Sequence, residues 1–268
     1  MRIAAADWSV NPRKRWVCEC VNGFVYPPQQ VKDAAALLSG GGPAVVGFDF
    51  PIGMPEAYCL SAGIGHFFEC LDRDWLPTNQ PHLAQPFFPH TPDRKVAELE
   101  QALGISKTQW LRRCDHATNA GALFWLIGPK QVGRAAITGW REVLRNRPAD
   151  WKIWPFDAVN VSTDRWVAEI YPALGYPPNF GKRDAQNRRA YAGEVLSRAR
   201  GLGLQLHTGL ESMVQDGFGP GTEGEDPFDA FVGVLGMVES LREEAPTDEA
   251  VRRWEGWILG AGCKTRPR

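Results

Sequence analysis

The sequence lacks the long apolar runs and the phosphate-binding loops that mark several common protein classes. No stretch approaches the roughly 18 apolar residues of a membrane helix. No charged segment leads into a long apolar one near the first residue, so neither a membrane span nor a signal peptide is expected. A GxxxxGK-S/T loop is absent, and no GxGxxG motif follows a predicted strand. The patterns of P-loop hydrolases and dinucleotide-binding proteins are therefore missing.

Cysteine and histidine are scarce and scattered, with six Cys and five His in 268 residues. None of them has the spacing of a zinc site. Cys18 and Cys20 would lie on the same face of one strand, which is a poor geometry for a disulfide bond. The sequence therefore predicts reduced thiols and a cytoplasmic protein.

Net charge is also small, at −1, which argues against general affinity for nucleic acid. The charges are unevenly distributed along the chain. Residues 101–154 carry nine Lys and Arg against three acids, whereas residues 211–250 carry eleven acids against one Arg. This asymmetry suits a metal site that faces a phosphate-bearing substrate, although two solvated helix faces would give the same pattern.

Short apolar segments alternate with helical patterns, which is typical of an α/β protein. Strands are predicted at 3–7, 14–20, 23–26, 44–50 and 165–171, with Asn-Gly at 22–23 as a hairpin turn, and 151–156 is a further short apolar segment. Apolar residues at helical spacing predict helices at 29–39, 138–147, 184–200, 227–241 and 248–259. The predicted fold is a ribonuclease H-like mixed sheet, with an antiparallel meander followed by parallel strands, flanked by helices.

No internal repeat, low-complexity tract or linker divides the chain. We expect a single domain over 1–262, with a helical insertion or lid, rich in Pro and Trp, at about 51–110. Residues 263–268 are polar and basic, and we expect them to form a disordered tail.

Acidic residues at the ends of predicted buried elements are the main functional signal. Asp7, Asp49 and Glu169 end or follow short apolar strands. Asp226 and Asp229 open an apolar helix and are three residues apart, so both can face the same point. Carboxylates in such positions are costly unless a cation compensates them. Mg²⁺ prefers oxygen ligands, and two divalent ions about 4 Å apart can promote phosphodiester cleavage.

Each of these acids also has a structural interpretation. Asp7 and Asp49 are typical turn residues, and Glu169 would pair with an Arg at the end of its strand. Asp226 precedes a proline and would be the N-cap of the helix. Asp229 lies in the first turn, where the helix dipole favours an acid. Asp229 is therefore the better ligand candidate of the two.

Three basic residues are candidates for substrate binding. Lys130, Arg134 and Arg141 lie in or beside the segment VGRAAITGWREV, within the basic middle of the chain. They could hold a substrate phosphate, or they could form a solvated helix face.

Seven ordered segments resemble one known family. They are ADWSVNPRKRW, VVGFDFPIGMP, VGRAAITGWREVL, WKIWPFD, VAEIYPAL, DPFDAFVGVLGM and EGWILG. Together they are similar to the family called domain of unknown function 429, described as predicted nucleases with a ribonuclease H-like fold. The resemblance spans almost the whole chain and places Asp7, Asp49, Glu169 and Asp229 on the family's acidic motif positions. RuvC-type resolvases have a similar Asp-x-x-Asp but carry Glu in place of Asp49. They are also smaller and strongly basic, so the resemblance does not imply that this chain cuts junctions.

Residues and resemblance together predict a metal-dependent nuclease that uses Mg²⁺ or Mn²⁺. The expected catalytic residues are Asp7, Asp49, Glu169 and Asp229, and Asp226 joins them as a metal ligand. The expected partner is nucleic acid, either DNA or RNA. One alternative is a noncatalytic ribonuclease H-like module that binds nucleic acid or a protein. Another is half of an actin-like or sugar-kinase-like ATPase, but the second half and the Gly-rich phosphate hairpins are not visible.

Overall fold

Short apolar strands form the mixed sheet that organises this α/β chain, as seen in a computed structural model. The structure describes residues 1–31, 33–73, 96–124, 126, 132–244 and 246–262. The predicted tail at 263–268 and the candidate Lys130 lie outside the described residues.

Eight strands make up the sheet in these described ranges. They are β1 (Arg2–Asp7), β2 (Trp16–Val21), β3 (Phe24–Val25), β4 (Gln29–Gln30), β5 (Ala44–Phe48), β6 (Trp151–Ile153), β7 (Arg165–Glu169) and β8 (Gln205–Leu206). Their order is β6-β7-β5-β1-β2-β3-β8, and β4 pairs with β2. The pairs β1–β2 and β2–β3 are antiparallel, whereas β1–β5, β5–β7 and β6–β7 are parallel. The predicted meander followed by parallel strands is confirmed.

The predicted turn between β2 and β3 is present. Asn22 and Gly23 both have positive φ angles, 50° and 87°. A two-residue type I′ hairpin needs this conformation at both central positions, and Asn-Gly adopts it at little cost.

Helices cover both faces of the sheet. They are α1 (Ala34–Leu37), α2 (Glu56–Ser61), α3 (Phe67–Leu71), α4 (Val96–Leu103), α5 (Arg113–Thr118), α6 (Val132–Gly139), α7 (Ala185–Gly201), α8 (Leu210–Gln215) and α9 (Glu225–Ser240). Shorter 3₁₀ segments are Pro12–Lys14, Lys107–Gln109 and Pro172–Gly175, and π-helical turns are Trp140–Leu144 and Val251–Glu255. None of the helices in the described ranges is both long and apolar enough to cross a membrane.

The predicted helix at 29–39 is wrong in its first half. Residues 29–30 are strand β4, in which Gln30 pairs with Trp16 of β2. The two preceding prolines favour extended backbone, and this leads the chain along the edge of β2. The helix starts only at Ala34, where the Asp33 side chain accepts from the amide of Ala35 at 2.9 Å.

The predicted helix at 248–259 also ends early. Its last turn is the π-helical turn that finishes at Glu255, and Gly256 follows with a φ of 64°. Glycine adopts such a positive φ readily, so the helix can end here. The chain then runs alongside β7, where Ile258 forms a bridge with Glu169.

Alternation along the strands sends side chains into two apolar cores. On one face, Ala4, Ala6 and Phe48 contact a core that includes the described parts of the predicted insertion at 51–110, among them Ile52 and Phe67. These residues of the insertion are fully buried, so this part of it forms a core layer of the fold. On the other face, alternate residues of β1 and β5 pack beneath α7, α8 and α9.

Two glycines allow α9 to lie close to the centre of the sheet. A Cβ atom on Gly233 of α9 would lie 3.0 Å from the Cβ atom of Ala5 in β1. A Cβ atom on Gly47 of β5 would lie 2.6 Å from the sulfur of Met237 in α9. The absence of side chains at these positions therefore sets the distance between helix and sheet.

We expect Gly47→Val to lower the free energy of unfolding by about 1–3 kcal/mol, because the added methyl groups overlap Met237 and Ile170. Urea denaturation measures this change. Gly193→Ala is the control, because a Cβ atom added to Gly193 in α7 would meet no described atom within 4 Å, and it should stabilise the protein by about 0.5–1 kcal/mol. Equal stability of Gly47→Val and the unmodified chain would contradict the close packing of α9.

Candidate functional site

Two neighbouring parallel strands bring Asp7 and Asp49 together. Asp7 is the last residue of β1, and Asp49 directly follows β5. Ala6 pairs with Phe48, and the amide of Asp49 donates to the carbonyl of Ala6 at 3.3 Å. The two aspartates are therefore adjacent on one face of the sheet, the face on which α9 packs.

The first two turns of α9 add Asp226 and Asp229 to the same place. The helix begins at Glu225 with Gly224 as its N-cap residue, so the prediction that Asp226 is the N-cap is wrong. The helix starts earlier than the proline suggests, because the preceding loop closes through the amide of Glu225, which donates to the carbonyl of Thr222 at 3.2 Å. Asp226 is instead hydrogen-bonded to Asp7.

These four side chains, Asp7, Asp49, Asp226 and Asp229, are called the acidic cluster below. Asp7 is hydrogen-bonded to both Asp49 and Asp226, and the amide of Trp8 donates to Asp49 Oδ1 at 2.6 Å. Asp229 is buried, with 4% exposure, while the other three are half-buried. The cluster thus lies at the end of the sheet and is open to solvent on one side.

Ionisation of the whole cluster is unfavourable. Burial, followed by the charges of Asp49, Asp229 and Asp226, raises the pKa of Asp7 well above its usual range. Burial also raises the pKa of Asp49 and that of Asp226. The charged form of Asp7 is therefore disfavoured relative to that of a solvent-exposed aspartate.

Asp229 differs from the others because both its oxygens accept from side-chain donors. Oδ1 accepts from the hydroxyl of Tyr176, and Oδ2 accepts from the ammonium group of Lys182. Burial raises the pKa of Asp229 to about 6, although Lys182 opposes the shift. Lys182 also lies 3.4 Å from Glu225.

Sequence reasoning missed Lys182 and Tyr176. Both lie in the irregular segment between β7 and α7, where no periodic pattern marks a residue as buried or exposed. The basic residues that the sequence favours as substrate contacts lie in another part of the chain. The one signal in the sequence of this loop is the pair Lys182-Arg183, which directly precedes Asp184, the N-cap of α7.

Glu169 lies apart from the acidic cluster. It pairs with Phe48, and strand alternation therefore directs it to the face opposite Asp7 and Asp49. Its two oxygens accept from the guanidinium of Arg112 at 2.6 and 2.7 Å, and the amide of Ile52 donates to it at 2.7 Å. This arrangement matches its structural interpretation, pairing with an Arg.

Arg112 is the centre of a second charged group. Its side chain is fully buried and also donates to both oxygens of Asp115, at 3.0 and 2.8 Å. It donates further to the carbonyl of Glu255 at 3.2 Å. The guanidinium thus makes bidentate hydrogen bonds to both buried carboxylates, so this group fixes α5 against the end of β7.

The basic middle of the chain is largely used in internal contacts. Arg113 pairs with Glu56, Asp248 and Glu255, and Lys152 pairs with Asp164. Other arginines of this region donate to backbone carbonyls. These basic side chains are therefore occupied by ion pairs and backbone hydrogen bonds within the chain.

Of the two described candidate substrate-binding residues, Arg134 lies on α6, which packs on the face of the sheet opposite α9. It is exposed on α6, one turn before Thr138. The Thr138 hydroxyl accepts from the indole N–H of Trp8 at 3.3 Å, so this helix lies beside the residue that follows Asp7. Arg141 is exposed and lies 3.5 Å from Glu142.

The acidic cluster suits a divalent cation in its chemistry. Four carboxylates supply hard oxygen ligands, and their mutual repulsion would be relieved by a positive ion. In the described part of the chain, however, no three His, Cys, Asp or Glu side chains converge as they stand on a metal-binding point. Lys182 engages Asp229. An ion that binds Oδ2 of Asp229 would therefore have to displace this contact.

Comparisons with known proteins do not identify relatives. No family model matches the chain, and neither the curated proteins nor the solved structures contain a significant match. The resemblance to domain of unknown function 429 stays a prediction that rests on the sequence motifs.

We expect Glu169→Gln to lower the free energy of unfolding by about 2–3 kcal/mol, because it weakens a buried charged hydrogen-bond pair with Arg112. Divalent-ion binding, measured by calorimetry, should stay unchanged, since Glu169 faces away from the acidic cluster. Loss of ion binding at unchanged stability would instead make Glu169 a ligand.

We expect Asp7→Asn to stabilise the ion-free protein at pH 7–8 by on the order of 1 kcal/mol, as the removal of strain at a functional site often does. The pKa of Asp7 is raised in the folded state, so its contribution to stability is full below about pH 4 and is lost as pH rises through the folded pKa. Asparagine has no carboxyl group to ionise, so the variant does not lose this stability as pH rises. Thermal unfolding in EDTA between pH 4 and 8 measures the difference.

Asp72→Asn is the matched control, because Asp72 is an exposed aspartate outside the cluster at the end of α3. It should change stability by less than about 0.5 kcal/mol at every pH. A destabilising effect of Asp7→Asn that grows with pH would show that Asp7 is an ordinary ionised structural residue.

Proposed function

We propose that this chain is a metal-dependent nuclease with a ribonuclease H-like sheet, which cleaves phosphodiester bonds of DNA or RNA at the acidic cluster. The observation that carries the proposal is the meeting of Asp7, Asp49, Asp226 and Asp229 from three separate elements at one end of the sheet. Such a gathering of like charges opposes folding and needs a functional explanation.

Mg²⁺ or Mn²⁺ is the proposed cofactor, with the four aspartates as its ligands. A bound divalent ion would activate water and stabilise the leaving oxygen of a phosphodiester. The chain itself supplies the carboxylates and holds them in place. The amide of Trp8 fixes Asp49, and the hydroxyl of Tyr176 fixes Asp229.

The surroundings of the cluster support a phosphate-bearing substrate. Asp7, Asp49 and Asp226 are half-buried and face solvent, so a substrate can reach them. Arg134 is exposed on α6, and it is the proposed contact for a substrate phosphate beside Trp8. The sheet begins with a meander followed by a parallel strand, which is how a ribonuclease H-like sheet begins.

Cytoplasmic localisation is part of the proposal. The five cysteines in the described residues are free thiols, and all are buried. Such thiols are typical of proteins from reducing compartments.

A noncatalytic binding module is the second candidate. It is favoured by the engagement of Asp229 with Lys182 and by the internal pairing of many basic side chains. In that case the chain would show no turnover, whether or not the acidic cluster binds an ion.

We expect hydrolysis of single-stranded, duplex or structured nucleic acid in the presence of Mg²⁺ or Mn²⁺, and none in EDTA. Asp7→Asn and Asp229→Asn should each reduce the rate by at least about 100-fold, because each removes a charge that the transition state needs. Gel assays of labelled substrates measure cleavage, and calorimetry measures ion binding to the same preparations.

Asp72→Asn controls for the general effect of the substitution and should cleave like the unmodified protein. Activity that survives both cluster substitutions would exclude the proposed mechanism. Ion binding without turnover on any of the three substrate classes would favour a binding role.

A further inference from the structure

Lys182 directly contacts the acidic cluster with a positive charge. Its ammonium group donates to Asp229 Oδ2 and lies 3.4 Å from Glu225. The carboxylates of Asp229 and Glu225 are 5% and 17% exposed, so this positive charge is held against two largely buried acids. In water-poor surroundings such a pair is much stronger than a surface ion pair.

The backbone of Lys182 is fixed in position by its own loop and by α7. Its carbonyl accepts from the guanidinium of Arg188, which is fully buried. The preceding carbonyl, of Gly181, accepts from the side chain of Asn187 at 3.0 Å. The same Arg188 binds the loop carbonyls of Gly217, Gly219 and Gly221. The chain thus holds Lys182 at the rim of the cluster through contacts unrelated to its charge.

The Lys182 side chain can leave the cluster without any change in that backbone. The side chain is 34% exposed, and its four-carbon stem can rotate the ammonium group into solvent. Asp229 cannot move in the same way, because it is buried in the second turn of α9 beneath Tyr176. A competitor for Asp229 would therefore displace the lysine and leave the aspartate in place.

We propose that Lys182 is an internal counter-cation that occupies Asp229 when no ion is bound, and that a divalent ion binds by displacing its ammonium group. This inference rests on the proposed function, since it concerns the same cluster. Both oxygens of Asp229 already accept hydrogen bonds, so an ion cannot reach Oδ2 while Lys182 remains there. When the ion replaces the ammonium group, a positive charge contacts the acidic cluster in both the ion-free and the ion-bound protein. No covalent bond is formed.

The test compares Mn²⁺ binding to the full chain and to Lys182→Gln by calorimetry and by the Mn²⁺ electron paramagnetic resonance signal. Lys182→Gln should bind Mn²⁺ at least about tenfold more tightly, because the ion no longer competes with the lysine for Asp229. In EDTA the variant should have a lower unfolding temperature than the unmodified chain. Addition of Mn²⁺ should raise that temperature more in the variant.

Arg183→Gln is the matched control. Arg183 is the neighbouring cation, 74% exposed and 3.7 Å from Glu225, and its ion pair is with that residue rather than with Asp229. Its replacement removes the same charge from the same loop but should change Mn²⁺ affinity less than about twofold. A comparable increase in Mn²⁺ affinity in both variants would show that loss of any positive charge from this loop strengthens binding. That result would overturn the inference.

Lys182→Arg and the unmodified chain keep the test decisive if Lys182→Gln does not fold. Lys182→Arg should bind Mn²⁺ within about threefold of the unmodified chain, because it retains the competing charge. A crystal structure of the unmodified chain with Mn²⁺ should place Lys182 Nζ more than about 4 Å from Asp229, beyond ion-pair distance.

The outcomes separate this inference from the proposed function. Mn²⁺ binding that is equal or weaker in Lys182→Gln, or a lysine that stays on Asp229 in the Mn²⁺ complex, overturns the inference and leaves the nuclease proposal standing. Absence of Mn²⁺ binding in both the unmodified chain and all variants overturns both.

Discussion

The close contact of α9 with the sheet determines where the acidic cluster lies. Gly233 faces the methyl group of Ala5, and Gly47 faces the side chain of Met237, so at each point only one side chain lies between helix and strand. Asp229 and Asp226 lie about one and two turns before Gly233 along the same helix. A wider spacing at the glycines would carry both carboxylates away from Asp7. The cluster is therefore held together by apolar packing that opposes its electrostatic repulsion.

Strand alternation separates this cluster from the Arg112 group. Glu169 and Phe48 pair in register, and Asp49 follows Phe48, so Glu169 and Asp49 face opposite sides of the sheet although they lie at the same end. A sequence shows that a carboxylate ends a strand. It shows on which side of the sheet that carboxylate lies only when the register between neighbouring strands is also known.

Much of the sheet could be predicted from the sequence, because it depends on local patterns. Buried strands appear as short apolar runs, and Asn22-Gly23 has few conformations other than the turn it forms. The predicted helix at 29–39 is wrong in its first half because pairing of Gln30 with Trp16 is a tertiary contact that overrides local helical spacing. The proline after Asp226 favours that residue as the N-cap, but the preceding loop sets the helix start.

The candidate site was only partly predictable for a related reason. Asp7, Asp49 and Asp229 stand at the ends of regular elements, where position in the pattern implies position in space. Lys182 and Tyr176 lie in an irregular loop, and the Lys182 side chain reaches Asp229 because Arg188 and Asn187 fix the backbone there. Contacts of this kind join residues by three-dimensional geometry and leave no periodic signal in the sequence.

The two charged groups show how differently the same fold treats buried acids. Around Arg112, each of two carboxylates receives two guanidinium hydrogen bonds, and the single positive charge lies between them. In the acidic cluster, the directly bonded cation among the described residues is a single ammonium group, which is partly exposed. The chain thus meets buried acids with arginine hydrogen bonds where the role is structural. At Asp7, Asp49 and Asp226 no such arginine pair is present among the described residues, and the proposed divalent ion would supply the positive charge there.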